Sequence, residues 1–206
     1  RSSDLFFDLE KDQEALKVYL EEIHDKMISF DDEIERLHYL VDNNFYFNVF
    51  EKYSEAELIE ITEYAKSIHF QFASYMSASK FYKDYALKTN DKTKFLEDYN
   101  QHVAIVALYL ANGNVKQAKQ FISAMVEQRY QPATPTFLNA GRARRGELVS
   151  CFLLEVDDSL NSINFIDSTA KQLSKIGGGV AINLSKLRAR GEAIKGIKGV
   201  AKGVLP

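Results

Sequence analysis

The sequence predicts a mixed α+β and α/β fold, with an all-helical domain at the amino-terminal end followed by a strand, a helix and a second strand. Three observations carry that reading. Apolar residues recur at helical spacing through most of residues 10–128. The nearly unbroken apolar run over residues 148–156 suits a strand covered on both faces, and residues 180–183 suit a second, shorter buried strand. Between the two lies an amphipathic stretch that Gly177, Gly178 and Gly179 bring to a stop. Strand, crossover helix and strand make one βαβ unit.

The elements follow in order. Residues 1–9 read as a short lead-in, and from Glu10 the spacing of Ala15, Leu16, Val18, Tyr19, Leu20 and Ile23 predicts a helix. Asp31 and Asp32 can cap the next, which carries Ile34, Leu37, Leu40 and Val41 and ends near Asn43 and Asn44. Ser54 and Glu57 form a capping box, each able to satisfy an amide left unpaired by the helix start, ahead of Leu58, Ile59 and Ile61. The aromatics Phe70, Phe72, Tyr75, Phe81, Tyr82 and Tyr85 could stack nucleic-acid bases, but core packing is the preferred reading, since aromatics dominate buried area. Thr89, Asn90 and Asp91 make a turn. A long helix with Val103, Ile105, Val106, Leu108 and Leu110 closes at Asn112 and Gly113, and a further helix runs from Val115 to about Gln128. Pro132 and Pro135 end the helical region, which places a domain boundary between residues 1–132 and 133–206.

In the second part, Asp157, Asp158 and Ser159 offer N-cap side chains and negative charge to a helix predicted over residues 158–176. Ligands of βαβ units gather at the carboxyl ends of the strands, and Cys151, the 157–160 turn and the glycines are expected near such ends.

Composition narrows the function. With 206 residues, 46% hydrophobic and 27% charged, the chain can bury a real core. A net charge of -3 argues against a dedicated nucleic-acid binder. Lys186, Arg188, Arg190, Lys195, Lys198 and Lys202 nevertheless face only Glu192, and such a tail prefers an anionic ligand. A single cysteine excludes an internal disulfide, and neither a signal peptide nor a long apolar span is evident, so a soluble, cytoplasmic protein without membrane association is expected. The four histidines lack metal-ligand spacing, so no metal site is expected. The chain starts at Arg1 rather than methionine and stops at Pro206 after a glycine-rich loop, which reads as a segment of a longer subunit.

Each candidate site residue has a plain reading beside a functional one. Cys151 is either a small buried hydrophobe or a redox thiol whose partner sulfur comes from elsewhere; a hydrolase nucleophile would need a base, and residues 133–206 hold no histidine. Gly177 to Gly179 fit neither nucleotide fingerprint, leaving a helix stop or an open main chain against which a ribose could rest. Asp158 is an N-cap or an acceptor for sugar hydroxyls. Arg188 and Lys195 are solvated charges or phosphate partners.

The order of these motifs is more specific than any one of them. ATPTFLNAG, RRGELVSCFLLEVDDSLNSI, SKIGGGVAINLSKLRARGEAIKG and the upstream FYKDYALKTND together resemble the large, catalytic subunit of class Ib ribonucleotide reductase over essentially the whole chain. The resemblance implies a helical domain followed by the opening of a ten-stranded α/β barrel. It implies that Cys151 is the redox-active cysteine that reduces the ribose 2′ position and pairs with a later cysteine of the full subunit. It assigns Thr134, Ser150, Cys151, Gly178 and Gly179 to the nucleoside diphosphate substrate. Asp158 and Arg188, with Ser159, Leu160, Ile194 and Lys195, fall to a specificity site for a deoxynucleotide effector at the dimer interface.

The resemblance further implies reduction of ribonucleoside diphosphates for DNA synthesis by thiol and radical chemistry. No cofactor is held by this chain; the complete enzyme depends on a metal-tyrosyl radical in the small subunit and on dNTP and ATP effectors. The implied partners are the C-terminal remainder of the subunit, a second copy in a homodimer, the small radical-generating subunit and a thioredoxin- or glutaredoxin-like reductant, with no nucleic acid. The thiyl cysteine, the disulfide partner and the shuttle cysteines are not among these residues, so the chain alone should be inactive. No extra N-terminal ATP-binding domain, and no overall activity control through one, is expected. The rival reading is a non-catalytic module that dimerises and binds a deoxynucleotide.

Overall fold

A computed structural model describes residues 9–144 and 146–204. Residues 1–8 of the expected lead-in lie outside them. The chain divides into two compact units, one formed by Arg1–Pro132 with Phe137–Arg145, the other by Ala133–Thr136 with Gly146–Pro206.

The first unit is helical: α1 Leu9–Asp25, α2 Glu33–Asp42, α3 Glu55–Ser67, α4 Tyr75–Lys80, α5 Tyr99–Ala111 and α6 Val115–Val126, with a 3-10 turn at Val49–Glu51. Its centre is α5, packed against α3 and α6, with Val103, Ala104, Ile105, Val106, Ala107 and Leu108 all buried. Burying a side chain of the size of Ile105 or Leu108 contributes about 1.5–3 kcal/mol. Helix starts obey local chemistry. Asp32 accepts from the Glu35 amide, and complete capping boxes form at Ser54 with Glu57 and at Asp98 with Gln101. Asn112 closes α5 in the left-handed conformation.

Of the aromatic stretch, Phe81 and Tyr82 are buried in the core of this unit and Phe70, Phe72 and Tyr85 are half-buried, whereas Tyr75, expected to pack with them, is exposed on the surface. Phe70 stacks on Tyr99 at 3.7 Å between ring centres, and Phe72, Phe81, Tyr82 and Tyr99 meet in edge-to-face and tilted pairs. Beyond α4 the chain continues as a π-helical turn, Phe81–Tyr85, that the sequence did not announce.

A seventh helix, α7 Thr134–Asn139, occupies the stretch read from sequence as a boundary. Pro135 sits in its first turn, where a missing amide costs no hydrogen bond. Residues 141–143 then fasten to the helical unit: the Phe47 amide donates to the Gly141 carbonyl and the Ala143 amide to the Phe45 carbonyl, both at 3.0 Å.

The second unit holds β1 Cys151–Glu155, α8 Leu160–Lys175 and β2 Gly179–Asn183. The strands are parallel, with Cys151 opposite Gly179 and Glu155 opposite Asn183. This is the βαβ unit expected from sequence, within an unclosed, two-stranded sheet. Two expectations are corrected. The first strand is shorter than residues 148–156, and it is not buried on both faces: Phe152 and Leu154 are half-buried, whereas Cys151 and Glu155 are exposed and Leu153 is 83% exposed. Helix α8 packs on the strands and buries Ile166. Among the described residues nothing covers the alternate side chains of β1.

Candidate functional site

The candidate residues of the second unit fall into two groups at opposite ends of the sheet. The first group lies where the strands begin. Cys151 opens β1 and Gly179 opens β2, directly across from it, with the Gly179 amide donating to the Ser150 carbonyl at 3.0 Å. The Cys151 thiol is exposed and lies 3.8 Å from the Ser150 hydroxyl. Thr136 donates to the Leu148 carbonyl at 3.0 Å, which ties the segment carrying Thr134 to the residues leading into β1.

Two glycines explain the local shape. Gly177 follows the α8 cap at φ +90°, a conformation costly for any residue with a Cβ. Gly178 is needed for space: a Cβ there would fall 2.1 Å from Cε2 of the Phe152 ring. The backbone of 178–179 therefore presents no side chain beside Cys151. An exposed thiol, a hydroxyl and a bare main chain suit a polar ligand that must approach a sulfur closely.

The second group lies where β1 ends. Arg188 Nε donates to Asp158 Oδ2 at 2.7 Å, and its Nη1 donates to the Ala193 carbonyl at 3.1 Å. The two side chains are 35% and 34% exposed, so the pair is reachable by a ligand. The cap of α8 is Ser159 alone, whose hydroxyl accepts from the Ser162 amide. Asp157 and Asp158, expected as N-cap acceptors, are engaged by Lys186 and Arg188 instead. Leu160 stands 72% exposed in the first turn of α8.

The basic segment folds back on itself. Ile194 and Ile197 exchange backbone hydrogen bonds at 3.0 Å around a turn in which Lys195 has φ +50° and Gly196 φ +82°. Sequence reasoning missed Lys186, whose ammonium bridges Glu155 at 3.1 Å and Asp157 at 3.2 Å; these carboxylates raise its pKa. Its only signal was membership of the basic run.

The expectation that all these residues share the carboxyl ends of the strands is therefore corrected. Cys151 and the glycines occupy the amino ends, and the Asp158 group the carboxyl end. Four steps of about 3.3 Å along a five-residue strand put roughly 13 Å between them, enough for two separate ligands. Among the described residues no cluster of three His, Cys, Asp or Glu side chains could hold a metal, and no helix is long and apolar enough to cross a membrane.

Three family models match in succession: ribonucleotide reductase N-terminal over residues 2–70, the ribonucleotide reductase all-alpha domain over 71–145, and the ribonucleotide reductase barrel domain over 149–206. The chain belongs to the ribonucleotide reductase large-subunit family. The ribonucleoside-diphosphate reductase subunit alpha of Bacillus subtilis is 53% identical over 201 residues, covering 97% of this chain and 29% of that protein. The subunit of the same name from Mycoplasma pneumoniae is 42% identical over 204 residues, 98% of this chain and 28% of its own length. The vaccinia virus large subunit is 32% identical over 126 residues, 60% of this chain and 16% of its own. The chain thus spans under a third of the length of these relatives, as a helical N-terminal portion followed by the start of the barrel-domain sequence.

Proposed function

We propose that this chain supplies the redox cysteine and part of two nucleotide sites to a ribonucleoside-diphosphate reductase. Its parts are a helical domain over residues 1–132 and a barrel opening over 133–206. At the amino ends of the strands, Cys151 provides the thiol that gives reducing equivalents to the ribose 2′ carbon. The hydroxyls of Thr134 and Ser150 and the open main chain at Gly178 and Gly179 hold the nucleoside diphosphate. At the carboxyl end, Asp158, Ser159, Leu160, Arg188, Ile194 and Lys195 receive a deoxynucleotide effector, an acidic side chain to the sugar and basic ones to the phosphates.

The observation that carries the reading is the separation of an exposed thiol beside bare backbone from an accessible Asp158–Arg188 pair on a basic loop, within one βαβ unit. The radical comes from a metal-bearing small subunit, and a thioredoxin- or glutaredoxin-like protein renews the thiols. The working assembly is a homodimer in the cytoplasm.

Binding of dTTP, followed by calorimetry on this chain reconstituted with the remainder of the subunit, tests the effector assignment. Asp158→Ala and Arg188→Ala should each weaken binding about tenfold, the loss of one charge-assisted hydrogen bond, while Cys151→Ser should leave it unchanged. Undiminished binding in both charge variants would overturn the assignment.

A further inference from the structure

The helical unit contains a basic cavity that the reading above does not use. It measures about 510 Å³ and lies between the π-helical turn Phe81–Tyr85, the 86–92 turn and the returning segment near Arg142. That volume is in the range of small-molecule sites. Five cations line it, Lys83, Lys88, Lys92, Arg142 and Arg144, against the single carboxylate of Asp84. Asp84 is already held by Lys80 at 2.5 Å, and Arg142 is committed to buried Glu97.

Of the other four cations, Lys83 and Lys88 act electrostatically on the same Asp84 that Lys80 already holds. Among the described residues none of Lys83, Lys88, Lys92 and Arg144 forms an ion pair. The nearby Asp91 carboxylate is turned into its own loop, accepting from Thr89 and from the amide and hydroxyl of Thr93. Lys88 is half-buried, donates to the Lys83 carbonyl at 2.7 Å and lies 5.3 Å from the centre of the Phe95 ring. Its pKa is lowered, first by burial, with Asp84 opposing the shift and Lys92 adding to it. π-Helical turns are rare and recur at functional sites, and this one carries Lys83 and Tyr85 into the cavity wall. Leu87 and Leu138 add apolar wall, so the site suits an anion with an organic body rather than a bare ion.

We propose that this cavity binds a phosphate-bearing small molecule of mononucleotide size, with Lys83, Lys88, Lys92 and Arg144 neutralising its phosphates. The site lies wholly within the helical unit and does not depend on the nucleotide assignments above.

Calorimetric titration of the full chain with ADP and with inorganic tripolyphosphate provides the test. Both probes should bind, and the combined variant Lys83→Gln, Lys92→Gln, Arg144→Gln should weaken both by tenfold or more. These three side chains are exposed, so an unchanged melting temperature should accompany the loss. Arg188→Ala should not alter tripolyphosphate binding here, which separates this site from the effector assignment. Absence of binding by either probe, or equal binding by the combined variant, would overturn the proposal. So would preference for a glutamate-rich peptide over both probes, since the surface would then be an acidic-peptide dock.

Discussion

Glu97 is wholly buried, and its carboxylate is met by the guanidinium of Arg142, the ring of His102 at 2.8 Å and the hydroxyl of Tyr46. Burial alone would push its pKa up; Arg142 and His102 outweigh it and hold the carboxyl far below the ordinary 4.5. A depressed carboxylate contributes stability that is present above its unfolded pKa and lost as pH falls below it. Urea denaturation should therefore show stability declining as pH drops below about 4.5. Glu97→Gln should cost about 3–5 kcal/mol at pH 7, because it strands a buried Arg142 charge, and should flatten that acid dependence. An unchanged pH slope would contradict the assignment. None of this cluster was legible in sequence: Tyr46 and Arg142 lie 51 and 45 residues from Glu97, and neither carries a pattern that names its partner. Gly178 was legible as a stop, but its reason, the Phe152 ring, was not. Gly178→Ala should destabilise the βαβ unit by about 1–3 kcal/mol through overpacking, seen as faster amide exchange in β2. Unaltered exchange would show that the ring moves aside freely.

At the scale of elements, helices with strong period and caps were readable. The Ser54 and Glu57 pair, the Asn112 close of α5 and the Asp32 cap formed as their chemistry dictates. α7 was missed because Pro132 and Pro135 read as breakers, although proline is tolerated in a first helical turn. The start of α8 was misassigned by two residues because Asp157, Asp158 and Ser159 are all competent caps, and only the three-dimensional position of Lys186 and Arg188 decides among them. Helix α8 buries Ile166 yet leaves Leu160 72% and Phe165 68% exposed. Large apolar side chains left this exposed on one helix suit association with another surface. Phe165→Glu should therefore shift sedimentation of the chain from larger species toward monomer; a distribution identical to the parent would show that the face is not used.

For the whole molecule, the mismatch lies in what covers the sheet. Residues 148–156 are apolar on both faces, the signature of a strand sandwiched in a barrel, yet the described sheet has two strands and one covering helix. The sequence pattern thus specifies neighbours for β1 beyond the packing described, in keeping with the barrel-domain family match. It also leaves strand edges with unpaired amides and carbonyls, which favour association. The placement of Cys151 with Gly179, and of Asp158 with Arg188, at opposite strand ends is a property of parallel register that no linear motif displays.

The central claim is that Cys151 is the working thiol of a nucleotide reductase assembled around this chain. The most direct measurement mixes the chain with the remainder of the large subunit, the small subunit and a dithiol reductant, and follows conversion of a ribonucleoside diphosphate to its deoxy form. The parent chain should restore reduction, and Cys151→Ser should lower it to the level of the mixture lacking this chain. Equal turnover by Cys151→Ser, or no restoration by a folded parent chain, would contradict the central claim and favour a non-catalytic module.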